Sequence, residues 1–513
     1  MTYSIINRIV ATAPAPGHRI TFARLDGTES LDLTELYEAA GRVASRLHGL
    51  GVRPGDRIGI LAANCLEWVL LDLAALRLKA VTAGLEPSKF ESDSEVLARY
   101  GLTLLFTDRA CGAAGVRSID TVRPIGEVRG FADEPASGAE LPPPSYALDD
   151  VTTLRFTSGS TGPPKAIAPT VASMDATLRN VQAIFAHGTG DNVFCFLPLA
   201  LQQQRFWIYS ALCFGFDITV TTYEAACVTL PRVQPTVVMG VPAFYEAAKK
   251  QIQAGTAGEV GDEATRAAAR RLFGDRIRYL WTGSAPAGPA MLRFFNSCGL
   301  PIYEGYGFNE ACIVTKNHPG AHKEGSVGRV LPGKQVIFDA DGVISVRSEF
   351  PVTDRYEYAL PGDTERVFVA PGLARSNDIG YLDEDGFLFI VGRADDVIVL
   401  DNGRKIIVRP MEEFMRAGPA IEECVLFCPT QTYLVAVVSP AQEPADEQAI
   451  HARLADCNAT FGADEQISRV VIARAGFSTD NGLLTNQFKP RRRQILDVYR
   501  SQILSTREGS HAR

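Results

Sequence analysis

Apolar positions along the first three hundred residues switch between two spacings. Leu36, Ala40, Val43 and Leu47 recur every three or four residues, the period of one helix face; RPGD then turns the chain into the unbroken apolar run IGIL, which predicts a buried strand, and EWVLLDLAALRL predicts the next helix. The alternation returns with TVVMG (236–240), helical PAFYEAAKKQIQ, strand RYLW, helical PAMLRFFNS and strand PIYEGYG. Strand and helix in turn predict an α/β fold whose parallel-rich sheets are covered by helices. After about residue 325 the pattern shortens. VIFDADGVISV and GYLDEDGFLFIVGR both predict hairpins about an Asp-Gly turn, and their acids lack the spacing of a calcium loop. From Asp396 onward the chain predicts a smaller α+β unit, giving domains at 1–395 and 396–513.

Length agrees with that division, since 513 residues exceed what one core normally serves. A hydrophobic content of 46% with 21% charged residues is that of a globular protein, and a net charge of -8 offers no electrostatic footprint for nucleic acid. The basic run Lys489, Arg491, Arg492, Arg493 is a local exception. Ten cysteines are scattered singly and seven histidines form no Cys/His cluster and no HExxH, so thiols in a reducing compartment are expected and a transition-metal site is not. G-x-S-x-G is absent, which argues against a hydrolase serine. The N-terminus lacks a basic then apolar leader and no apolar run approaches about 18 residues, so a cytoplasmic protein without a membrane segment is expected.

One stretch carries chemistry. TSGSTGPPK, residues 157–165, follows the strand-like VTTLRF. Gly159 and Gly162 let backbone N–H groups converge on an anion, and Thr157, Ser158, Ser160 and Thr161 add hydroxyl donors. The glycine spacing is not that of the common P-loop, and Pro163 and Pro164 prevent a helix from starting before Lys165. A polar surface loop is the plain alternative.

The stretch resembles the phosphate loop of the adenylate-forming superfamily, which includes acyl-CoA synthetases, peptide-synthetase adenylation domains and luciferases. PTVVMGVPAFYEAAKK, RIRYLWTGSAPAG, EGYGFNEA, GSVGRVLPG, NDIGYLDEDGFLFIVGRADDVIVLDNG and NGLLTNQFKPRRRQI follow in the superfamily's order, over residues 150–495. The resemblance implies a large N-terminal domain, with a distorted barrel-like part, and a small mobile C-terminal cap. It implies ATP, Mg²⁺ and coenzyme A as co-substrates and cofactor.

Activating a carboxylic acid with ATP brings two anions together, and at about 4 Å and an effective dielectric near 20 such a pair costs about 4 kcal/mol. Fixed cations and donors must offset that cost. The resemblance implies that Thr157, Ser158, Gly159, Ser160, Thr161, Gly162 and Lys165 hold the β- and γ-phosphates, that Thr161 and Glu310 bind the metal, and that Lys489 contacts carboxylate and phosphate oxygens. It also implies that Gly283, Ser284, Ala285 and Pro286, with Glu304, Gly305, Tyr306 and Gly307, enclose adenine, and that Asp378 and Arg393 take the ribose. Asp395 falls at the hinge; Asn402 and Gly403 fall in the loop that serves the thiol step.

Three positions depart from the superfamily's usual pattern: Asn309 for threonine beside Glu310, Leu201 for the aromatic after LPLA, and Ser376-Asn377 for Thr-Gly before Asp378. Candidates for the acid pocket are Phe206, Trp207, Val241, Phe244 and Phe308, none charged, so a hydrophobic acid is expected, fatty, aryl or polycyclic. These aromatics serve equally as core residues. Coenzyme A is the expected acceptor. A carrier protein's phosphopantetheine, a luciferase-like oxygenation and a silent nucleotide-binding regulator are the alternatives.

Overall fold

The computed structural model describes residues 4–87, 89–90, 94–109, 121–134, 141–157, 164–256, 262–401, 404–429, 433–485 and 489–504. Two compact units result. The larger comprises Met1–Ile337, Ser345–Ser376 and Gly386–Leu388; the smaller comprises Phe338–Ile344, Asn377–Asp385 and Phe389–Arg513.

In the larger unit a nine-stranded sheet runs in the order Arg329–Val330, Cys312–Lys316, Ile302–Phe308, Tyr279–Thr282, Val237–Met239, Asn192–Cys195, Asp217–Val220, Arg19–Ala23, Thr28–Asp32. From Ile302–Phe308 to Arg19–Ala23 neighbouring strands are parallel. Period-two alternation with apolar residues on both faces explains the continuous runs seen in the sequence. Trp281 thus faces one hydrophobic core, with helices Val171–Phe185 and Gln202–Phe214, while its neighbour Leu280 faces another, with helices Pro242–Ala254 and Pro289–Ser297. A second sheet has six strands in the order Val122–Pro124, Leu104–Thr107, Arg57–Leu61, Val81–Gly84, Thr153–Thr157, Lys165–Ile167, antiparallel only in the last pair.

In the smaller unit Ile421–Phe427, Leu434–Pro440 and Ile467–Ile472 form a three-stranded sheet with Leu434–Pro440 central. Every residue of that strand is buried, because helices cover both faces: Met411, Met415, Ile450 and Cys457 on one, Ile495, Tyr499 and Ile503 on the other. The Asp-Gly turns form as expected. Asp339 Oδ1 accepts from the Asp341 and Val343 amides, and Gly342 and Gly386 take positive φ. Among the described residues no helix is long and apolar enough to cross a membrane.

Candidate functional site

Strand Thr153–Thr157 and strand Lys165–Ile167, which flank the TSGSTGPPK stretch, pair antiparallel with Thr157 opposite Lys165. Ser158, Gly159, Ser160, Thr161 and Gly162 lie outside the described residues. The paired strand ends are fixed: the Thr157 hydroxyl donates to the Lys165 carbonyl at 3.4 Å, and Lys165 Nζ stands 4.0 Å from the centre of the Tyr356 ring and 3.6 Å from Asp363 Oδ2. The Tyr356 hydroxyl in turn donates to Glu310 Oε1. Burial first, and then the Glu310 carboxylate, push the Tyr356 phenol well above its ordinary range, so it stays protonated and remains a donor. A chain of contacts therefore joins Lys165 to Glu310 through Tyr356.

GSAP follows strand Tyr279–Thr282 and EGYG lies within its neighbour Ile302–Phe308, with Thr282 opposite Glu304. Both motifs sit at the carboxyl edge of parallel strands, where open α/β sheets bind ligands. Ser284 adopts φ +67, and the Ala287 amide reaches Glu304 Oε1 at 3.4 Å. A side chain at Gly307 would drive its Cβ into the Cys312 carbonyl oxygen, so the turn through Asn309 and Glu310 needs glycine there. Tyr306 and Phe308 are half-buried, their rings 6.2 Å apart. Glu310 offers the hard oxygen donors that Mg²⁺ takes alongside phosphate oxygens; Thr161, expected to bind the metal with it, lies outside the described residues.

Four of the five acid-pocket candidates are divided between the two cores. Phe206 and Trp207 belong to the first; Phe244 packs against Phe196 in the second, with Val241 at its edge; Phe308 ends its strand. Leu201 caps the start of helix Gln202–Phe214. Charge, which the pocket candidates lack, is buried beside them. Arg205 Nη1 donates to Asp72 Oδ1 at 2.9 Å and Nη2 to Thr153 Oγ1 at 2.9 Å, while the Tyr209 hydroxyl donates to Asp72 Oδ2 at 2.5 Å. Lys316 is 1% exposed, with Nζ 3.4 Å from the centre of the Trp281 ring.

In the smaller unit Asp378 Oδ1 lies 3.7 Å from Arg393 Nη1, and Arg393 Nη2 donates to Asp395 at 3.3 Å. Asp395 is exposed within the single turn Ala394–Asp396. Asn377 takes φ +65, a conformation asparagine tolerates better than most residues, so it serves where glycine is usual. Lys489 is fixed by its backbone, its N–H donating to Thr485 Oγ1 at 3.1 Å and its carbonyl accepting from Thr485 N at 2.8 Å. Although Lys489 keeps solvent access, desolvation by surrounding protein pushes its ammonium down, the Arg393 guanidinium adds to this and Asp378 opposes it. Strands Val397–Val399 and Lys405–Ile407 pair as a hairpin; Asn402 and Gly403 lie outside the described residues.

Sequence reasoning missed Tyr356, Asp363 and Lys316. Tyr356 and Asp363 lie in RYEYALPGD, whose aromatic and acidic positions follow no period, so the chain carried no local signal of their meeting Lys165. Lys316, the last residue of strand Cys312–Lys316, could have been noted as a charge ending an apolar run.

The AMP-binding enzyme family matches residues 11–345, and the AMP-binding enzyme C-terminal domain matches residues 395–510. The long-chain-fatty-acid–CoA ligase FadD15 of Mycobacterium tuberculosis is 27% identical over 551 aligned positions, covering 91% of each chain. Fatty acyl-CoA synthetase A of Dictyostelium discoideum is 23% identical, covering 90% of this chain and 84% of its own. Among solved structures, the anthranilate CoA ligase AuaEII with anthranoyl-AMP superposes with TM-score 0.78 at 19% identity, over 97% of both chains. The o-succinylbenzoate CoA synthetase of Bacillus subtilis with ATP and magnesium gives 0.74 at 20% identity, over 93% of this chain and 96% of that one. These likenesses establish the fold.

Proposed function

Because the chain belongs to the AMP-binding enzyme family, we propose that it condenses a hydrophobic carboxylic acid with ATP to an acyl-adenylate and pyrophosphate, then passes the acyl group to the thiol of coenzyme A. The observation that carries this reading is the connected set Lys165, Tyr356 and Glu310, with Lys165 paired to Thr157 at the strand ends that flank residues 158–163. A cation for phosphate and a carboxylate for a divalent ion are what pyrophosphate departure needs.

In the first step an acid oxygen attacks the α-phosphorus, and the bond to the β-phosphate oxygen breaks. Lys165 and the residues 157–162 take the departing pyrophosphate. Glu310, with Thr161, would hold Mg²⁺, which supplies charge neutralisation at the phosphates when bound. Tyr306 and the GSAP turn take adenine; Asp378 and Arg393 take the ribose hydroxyls, a carboxylate suiting vicinal donors. Lys489 delivers positive charge to the meeting of the two anions. In the second step the thiol attacks the acyl carbon and AMP leaves, with Asn402 and Gly403 at the thiol's approach. Asp395 serves as the hinge between these steps, which needs only a local backbone change.

The names of the relatives support coenzyme A as acceptor and a fatty acid as substrate. The test is product analysis after incubation with ATP, Mg²⁺ and a panel of fatty, aryl and polycyclic acids. AMP, pyrophosphate and an acyl-CoA are expected in equal amounts; ADP with inorganic phosphate, or turnover that consumes oxygen, contradicts the proposal.

A further inference from the structure

Lys316 and Gly305 face each other across two antiparallel strands, and paired residues project to the same side of a sheet. Gly305 has no side chain, and the lysine stem occupies the room: a Cβ at Gly305 would stand 2.8 Å from Lys316 Cδ and 3.3 Å from Nζ. The ammonium therefore lies against the EGYG motif itself. It lies also on the Trp281 ring, just before GSAP, and that ring meets Trp207 of helix Gln202–Phe214 with centroids 5.1 Å apart. The helix after LPLA and the strands leading into both nucleotide motifs thus converge on one buried cation.

That cation has oxygen partners for only two of its donors, the Trp281 ring lying over the ammonium. An ammonium has three N–H donors. Lys316 gives one to the Tyr303 carbonyl at 2.7 Å and a long one to the Thr282 carbonyl at 3.4 Å, and among the described residues no carboxylate is within ion-pair distance. Burial pushes the ammonium well below its ordinary range, with Glu304 opposing through space. Trp207 Nε1, on the ring that meets Trp281, is buried without a partner among the described residues, as are Gln202 Nε2 and Gln204 Oε1 earlier on the same helix. Native proteins leave few such groups unmet, and a ligand is one way to meet them.

Resting on the acid-activating reading above, we propose that the acid carries a second oxygen acceptor, carboxylate or ketone, remote from its reacting carboxyl, and that Lys316 receives it. Lys316 is then a specificity determinant that touches substrate. A plain alkyl chain leaves the ammonium's remaining donor with only the Trp281 ring in an apolar site, whereas an oxygenated chain gives it an oxygen acceptor, and sites built to hydrogen-bond a substrate discriminate strongly against analogues that lack the partner.

The test is kcat/KM for acid-dependent pyrophosphate release by the full chain. Plain monocarboxylic acids are compared with keto acids and dicarboxylic acids of the same length, at short, medium and long chain, for wild type and Lys316→Met, which keeps the stem and removes the donor. The wild type is expected to favour an oxygenated acid by about tenfold or more, with the keto and dicarboxylic arms separating a neutral acceptor from an anionic one. Lys316→Met is expected to erase the preference through a raised KM for the oxygenated acid alone. A wild-type preference for plain acids overturns the proposal whether or not the variant folds. So does an equal loss on all acids in Lys316→Met, the mark of a lysine that only supports the strand. Release with plain acids and none with oxygenated ones leaves the ligase reading intact and sinks this inference; silence with every acid sinks both.

Discussion

Glu310 reaches its turn already hydrogen-bonded by Tyr356, and Tyr356 in turn supports Lys165. Removing one hydroxyl separates the carboxylate proposed for the metal from the cation proposed for phosphate, so Tyr356→Phe is expected to lower kcat/KM for acid-dependent pyrophosphate release by roughly tenfold, the scale on which a positioning contact acts, with the melting temperature close to that of the wild type. His187 shows the opposite use of burial. Burial pushes its imidazole from 6.5 down to about 4, so it packs neutral beside Tyr279. The unfolded chain takes up that proton below about 6.5 while the folded one does not until about 4; stability is complete above the upper value and falls as pH drops between the two. Urea midpoints measured across that window should decline for wild type, and His187→Phe should flatten the decline. Glu310 was legible as a residue in a known motif; Tyr356 was not, because its role arises from a contact 46 positions away in sequence.

The elements were the most legible part. The runs IGIL and EWVLLDLAALRL became strand Arg57–Leu61 and helix Leu66–Leu78, since apolar period and turn residues agree locally. Hidden within that helix is Asp72, which pairs with Arg205 of helix Gln202–Phe214 across 133 positions and shares it with Thr153 at the start of the strand leading to residues 158–163. An acid on an otherwise apolar helix gives no hint of its partner. Both side chains are almost fully enclosed, 4% and 1% exposed, so removal of one leaves the other's charge buried. Asp72→Ala is expected to cost about 3–5 kcal/mol in denaturant unfolding, and a double-mutant cycle with Arg205→Met should recover part of that loss. Aromatic composition does not say which sheet face a side chain takes: of the acid-pocket candidates, Trp207 lies in one core and Phe244 in the other.

For the whole molecule, the α/β character, the two units and the family followed from ordered motifs and a change of texture near residue 325. What the linear pattern did not show is that the smaller unit draws on Phe338–Ile344 and Asn377–Asp385 as well as the C-terminal residues, because those contacts are long-range. Asp378, Arg393 and Lys489 are consequently carried on one unit. If that unit serves two steps in turn, Lys489→Ala should abolish adenylation while sparing thioester formation from supplied acyl-adenylate and coenzyme A; equal loss of both would assign the lysine a structural duty. Attack of a carboxylic acid on the α-phosphate of ATP is read out by exchange of labelled pyrophosphate into ATP without coenzyme A. Exchange that requires the acid and disappears in Glu310→Gln is the expected result, and exchange without acid, or none with any acid while ATP is hydrolysed to ADP, would contradict it.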